Sequence, residues 1–447
     1  MSKLKVDIYS IYILFCSALI FLSLIGHFNG TLFYDSQIQI IIINILFILA
    51  AINSSNNNIF LKFFLFYFFI FYIFNIYSFS LEGYDPIFIE KKQNISDVNH
   101  SLNILIVHFI TLYFLINYFF KDSFYSLKNF KLDKPEIVCL IYACLIFMLF
   151  EFFILFLIQK NIVNFSLIKI LSVLFSIEKP LIVISSITLI FWNKLTTYLK
   201  LICSLIIFLS IYSDFMQGSK SSLFFMMLIV FICIFRINGE IELNLKKILI
   251  IFFGTIIALI LYYYSSKTNK LIAVNIVDIQ NFILSFFNRI GFLDFYLEKN
   301  NGYIYKELFT LEYNLKAFLD KITPGFDPYG IPLIKNQFHF LLNNDGFYYS
   351  GVVSEQSTVF ALFNRVFGKL FFVFYFLILL LFNKFYYQFN FISNTKKIIV
   401  QILVLIIFYE FLNGFGVDQI LMISLYYIIF ICSLFLTSNL LKTLISK

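Results

Sequence analysis

Apolar residues run in blocks of about twenty along most of this chain, with short polar clusters between them, and that spacing sets the first reading. A helix of about 20 apolar residues crosses a hydrocarbon core roughly 30 Å thick. The blocks do not alternate: Ile38 to Ile52 is apolar at nearly every position, whereas a membrane barrel strand alternates over about ten residues. Only helices and closed barrels pair every backbone donor and acceptor inside lipid. The pattern therefore predicts an all-α, polytopic integral membrane protein with about 12 transmembrane helices. The predicted spans are 8–26, 38–53, 59–79, 101–120, 137–159 and 180–198. They continue at 199–215, 222–237, 248–264, 366–387, 398–413 and 419–440. The first run follows two lysines like a signal sequence, but no small-residue cleavage site follows it, so it reads as an uncleaved span.

One stretch breaks the pattern. Residues 265–368 are mixed polar and aromatic, and they divide the chain into a bundle at 1–264 (about nine spans), a long loop, and a second bundle portion at 369–447. Inside the loop, Ile276, Ile279, Ile283 and Ile290 recur at helical spacing, as do Leu308, Leu311, Leu315 and Ile322, the second pattern ending at Pro324. Two amphipathic helices are expected there, lying in the membrane interface or over the bundle.

Composition narrows the class. The chain is 61% hydrophobic and 13% charged, against about a quarter charged for a soluble domain. Its net charge of +8 comes from lysines scattered in short clusters rather than one basic stripe, which argues against nucleic acid as a partner. All six cysteines fall in apolar runs, so the loop is expected to fold without disulfides, and no metal-ligand spacing is present. Counting Lys and Arg in alternate loops orients the bundle. With the N-terminus inside, about 17 basic residues fall on the inner side and about six in the short outer loops. Both termini are thus expected in the cytoplasm, and the long loop outside.

Four groups of residues are candidates for chemistry. Gln217-Gly218-Ser219-Lys220-Ser221-Ser222 is a tight outward turn between two spans, where hydroxyls, backbone amides and one cation suit an anion. An ordinary turn with a snorkelling lysine fits the same residues. The chain holds only three arginines, Arg236, Arg289 and Arg365, and the last two are in the outward loop. Guanidinium grips phosphate oxygens bidentately where ammonium does not; pairing with acids such as Asp294 is the plainer alternative. Asp214, Glu410 and Asp418 stand at the outer ends of spans, with Glu151 deeper. Ionisable groups at membrane depth usually face a partner or a cavity. His339, between aromatic residues of the loop, suits a general base near neutral pH, or simple packing.

In order, these features resemble bacterial O-antigen polymerases of the Wzy type. The shared elements are about twelve spans, an outward Gly218-Ser219-Lys220-Ser221 turn, two further spans, and a long outer loop. That loop closes on Asn364-Arg365-Val366-Phe367-Gly368 entering the next span. The family commonly has Gly-Ser-Arg-Ser at the turn, and Lys220 keeps the cation but not the fork. The resemblance implies a glycosyltransferase of the bacterial inner membrane that joins undecaprenyl-pyrophosphate-linked glycan units at the outer face. Arg289, Arg365, His339 and Glu410 are then the expected catalytic residues, with Lys220, Ser219 and Asp214 binding substrate. No cofactor or metal is expected. Membrane lipid and a chain-length regulator are the further partners it suggests. A flippase for the same lipid-linked units, an O-antigen ligase and a scaffold without catalysis are the competing readings.

Overall fold

The computed structural model describes residues 8–24, 37–53, 58–73, 95–121, 134–159, 178–192, 195–216, 367–388, 393–412 and 417–445, with single positions at 229, 312, 315, 316 and 319. Among the described residues all regular structure is helical. The helices are α1 (Ile8–Leu24), α2 (Gln37–Ile52), α3 (Ile59–Phe68), α4 (Ile95–Phe120), α5 (Lys134–Gln159), α6 (Glu178–Phe191), α7 (Thr197–Met216), α8 (Phe371–Tyr387), α9 (Asn394–Leu412) and α10 (Val417–Ile445). A π-helical turn, Phe69–Ile73, prolongs α3, and a 3₁₀ turn, Gly368–Leu370, leads into α8.

Among the described residues, four segments are long and apolar enough to cross a membrane: Leu102–Phe120, Lys134–Ile154, Gly368–Tyr387 and Ser424–Leu444. Shorter apolar helices occupy other expected spans, and the expected spans at 222–237 and 248–264 lie outside the described residues apart from position 229. The expected boundary between spans at 198 and 199 moves. Helix α6 stops at Phe191, and the chain turns through a Leu195 N–H to Trp192 carbonyl bond of 3.3 Å before α7 starts. Prolines sit where helices tolerate them: Pro135 and Pro180 each fall in a first turn, whose N–H groups lack an intrahelical acceptor anyway.

Helix α9 is the axis of the packing. From Thr395 to Leu412 every residue but Lys397 is buried, so this helix is covered on all sides. It touches α3, α6, α8 and α10. Helices α4 and α8 pack together, as do α5 and α10, which joins the N-terminal and C-terminal parts of the chain. The outer helices are apolar on both faces. Helix α10 buries Tyr427, Phe430 and Leu434 and exposes Leu436, Leu440 and Leu444. Water would penalise that outward face, whereas hydrocarbon does not.

Polar side chains fix the helix ends. Asn58 caps α3 by accepting the Leu61 N–H at 2.9 Å, while its amide donates to the Ile116 carbonyl of α4 at 3.3 Å. One side chain thereby satisfies an orphan donor and ties two helices. Gly368 has φ +52, and no heavy atom comes within 4 Å of where a Cβ would stand. Glycine is required there by backbone conformation rather than by space.

Candidate functional site

Among the described residues, two groups of polar contacts between helices stand out, one toward each end of the bundle. The first lies where α9 ends and α8 begins. His108 is six residues past Leu102, the start of the apolar part of α4, and Tyr375 is seven past Gly368. At about 1.5 Å per residue both lie roughly 10 Å into those apolar segments. His108 Nδ1 and Tyr375 Oη are 2.7 Å apart. The imidazole also stacks on Phe371, with centroids 4.0 Å apart. Tyr375 meets Phe411 edge to face at 6.1 Å. The next residue, Glu410, is buried near the end of α9. On its other side Tyr409 meets Tyr67 at 5.8 Å, and the Tyr67 hydroxyl donates to the Leu412 carbonyl at 2.9 Å. That carbonyl belongs to the last turn of α9 and has no acceptor role within the helix.

An imidazole and a phenol are thus paired across two helices among aromatic rings, and a carboxylate is buried in a third helix. Such groups are expensive in an apolar bundle and persist there when paired. The hydrogen bond between His108 and Tyr375 runs in whichever direction the imidazole tautomer sets.

The second group lies at the opposite end. Glu136, in the first turn of α5, receives Lys396 Nζ at 3.3 Å and the Ser393 hydroxyl at 2.5 Å. Lys396 also donates to Asn439 Oδ1 of α10 at 2.7 Å and lies over the Phe435 ring at 5.3 Å. Asn383 of α8 donates to the Phe119 carbonyl of α4, and Gln401 of α9 donates to the Tyr386 carbonyl at 3.3 Å. These contacts join the starts of α5 and α9 to the ends of α4, α8 and α10.

Of the residues singled out in the sequence, Glu410 is buried in α9, and Asp214 lies in the last turn of α7. Glu151 is in α5 and Asp418 at the start of α10. Arg289, Arg365, His339, Ser219 and Lys220 lie outside the described residues, as does the Gln217–Ser222 turn. In the second amphipathic pattern of the loop, Glu312, Leu315, Lys316 and Leu319 are helical. Lys316 donates to Glu312 at 2.6 Å, and that bond and charge hold the carboxyl below its usual range. Sequence reasoning missed His108, Tyr375 and the Glu136–Lys396 pair. A histidine inside an apolar run was the available signal for the first. Compared with protein-family models, with curated proteins and with solved structures, the chain matches none.

Proposed function

We propose that this chain is a Wzy-type polymerase, joining undecaprenyl-pyrophosphate-linked oligosaccharide units at the outer face of a bacterial inner membrane. The observation that carries the proposal is the junction between the long loop and the bundle. Phe367 and the 3₁₀ turn Gly368–Leu370 lead into α8, whose first turn packs on the buried His108. Arg365 is six residues before Phe371, and Tyr375 meets Phe411, the sequence neighbour of the buried Glu410. In sequence, the loop that holds the two candidate arginines therefore ends next to the helix that carries this polar cluster.

In this reading a glycosyl unit leaves its lipid pyrophosphate and joins the terminal hydroxyl of a second lipid-linked unit. Arg289, Arg365 and Lys220 stabilise the pyrophosphate as negative charge builds on it, and one such donor is worth about 10²–10³ in rate. In the same reading His339 takes the acceptor proton, Glu410 is the further catalytic residue, and Asp214 and Ser219 bind substrate. The remaining expected spans complete a bundle of about 12, with both termini in the cytoplasm.

Deleting the gene and resolving surface glycan by size tests the reading. Single-repeat glycan in the deletion strain, restored to long chains by the intact gene, supports a polymerase. Lipid-linked units trapped on the cytoplasmic side mean a flippase, and long free polymer not joined to lipid core means a ligase.

A further inference from the structure

Two neighbouring helices carry matching stripes that the proposed reaction does not use. On α4 and the turn that follows it, Phe114, Tyr118 and Lys121 recur at spacings of four and three, and all are exposed. On α8, Leu377, Leu381 and Lys384 do the same. Such spacings put each set on one face of its helix. The Asn383 amide, bonded to the Phe119 carbonyl, pins the two helix ends side by side, so both lysines stand at one level. Farther along, a groove of about 370 Å³ opens between the helices, lined by Thr111, Phe114, Leu115, Phe372, Val373 and Phe376. Its one hydroxyl, on Thr111, is engaged with the Val107 carbonyl at 2.8 Å. The groove thus offers a ligand only apolar surface.

The lengths fit one kind of molecule. Lys121 is ten residues from Thr111, and Lys384 is eleven from Val373. At about 1.5 Å per residue each stripe is roughly 15 Å long, which is half of a hydrocarbon core about 30 Å thick. Cations at one end, hydrocarbon-like walls for one leaflet, and a groove at the depth where acyl chains end describe a site for a whole phospholipid. Glu136, the acid among the described residues at this end, is turned inward onto Lys396. Asp122, next to Lys121, lies outside the described residues.

We infer that the α4–α8 face binds an anionic phospholipid, with its phosphate on Lys121 and Lys384 and its acyl chains in the groove. The leaflet is the one at the lysine-rich end, which the charge count makes cytoplasmic. Each lysine near an anionic surface favours binding about fivefold, so together they prefer an anionic over a zwitterionic headgroup by roughly 25-fold. Salt at about 0.5 M screens that preference strongly.

The test uses the full chain in nanodiscs of equal parts phosphatidylglycerol and phosphatidylcholine, with retained lipid counted by native mass spectrometry. Phosphatidylglycerol should predominate at low salt. Lys121→Gln and Lys384→Gln should each lower the preference about fivefold and together bring it near one, while Lys316→Gln in the loop leaves it unchanged. Val373→Trp should fill the groove and cut total lipid retained on this face. These positions are exposed, and circular dichroism with a melting curve confirms that each variant is folded. Equal retention of the two lipids by the unmodified chain would overturn the inference. So would an undiminished preference in the double lysine variant, or equal binding of the deacylated headgroup glycerophosphoglycerol.

Discussion

Tyr375 Oη and His108 Nδ1 meet at 2.7 Å across a sequence separation of 267 residues. The contact joins α8, the first helix after the long loop, to α4 in the first half of the chain. Its neighbour Phe371 lies flat on the same imidazole, so the entry of α8 is fixed by two contacts to one side chain.

Tyr375→Phe keeps the ring and its edge contact with Phe411 but removes the hydroxyl. Polar bonds between membrane helices contribute about 0.6–2 kcal/mol, and a buried partner left without its bond adds to the loss. We expect a stability loss of about 1–2 kcal/mol in detergent. His108→Phe should lose a similar amount, and the double variant less than the two together. Strictly additive losses in that cycle would mean the two groups do not interact.

Breaking the Glu136–Lys396 pair should be more damaging. Each side chain is nearly enclosed, and removing one partner strands a buried charge, a change that costs about 3–5 kcal/mol. Lys396→Met should therefore reduce folded yield sharply, and Glu136→Gln should recover much of it by neutralising the stranded acid. Fluorescence-detected gel filtration measures both. A Lys396→Met protein as stable as the parent would show that Asn439 and Ser393 suffice to hold α5, α9 and α10 together.

Gly368→Ala tests the entrance to α8 from the backbone side. A left-handed conformation costs a residue with a Cβ about 1–2 kcal/mol, and the open space around Gly368 gives no steric term to add. The expected stability loss is about 1 kcal/mol. If alanine is instead neutral there, the turn relaxes to an ordinary helical entry.

The helical architecture was legible because it depends on block length alone, and blocks of apolar residues survive any detail of packing. Boundaries were less so. The turn at Trp192–Thr196 has neither proline nor glycine to mark it, and its polar residues Asn193, Lys194 and Thr196 fall inside the expected 180–198 span. Burial of a charge at membrane depth was legible where one residue was unusual by itself, as with Glu410 in an apolar run. Pairings were invisible. Lys396 was counted among surface lysines, yet it is buried on Glu136, and nothing local to either residue announces a partner so far along the chain. The Tyr375 hydroxyl is likewise one of 29 tyrosines until α4 is laid against α8.

The topology expected from lysine distribution is checked by reporter fusions. Fusions after Lys128, Lys247 and Lys396 should report cytoplasm, and one near Asn300 should report the outside. A cytoplasmic result at Asn300 would reverse the bundle and remove the loop arginines from the outer face.

The arginines give the sharpest test of the proposed reaction. Arginine occurs three times against 30 lysines, and two of the three lie in the one long loop. A lipid pyrophosphate leaving group needs positive charge near the headgroup level. Arg365 is two residues before Phe367, which stacks on Phe374 of α8 at 3.6 Å, so the chain is anchored close to that arginine. Arg289→Ala and Arg365→Ala should each collapse long polymer to one or a few repeats at unchanged protein level, a loss of about 10²–10³ in rate. Lysine at either position should restore only part, because charge returns but the planar two-point grip does not. A structural arginine that merely pairs with an acid such as Asp294 predicts a different result: lysine would rescue fully, and Asp294→Asn would mimic the alanine change. Polymer of normal length from both alanine variants would place the phosphate-binding groups elsewhere in the chain.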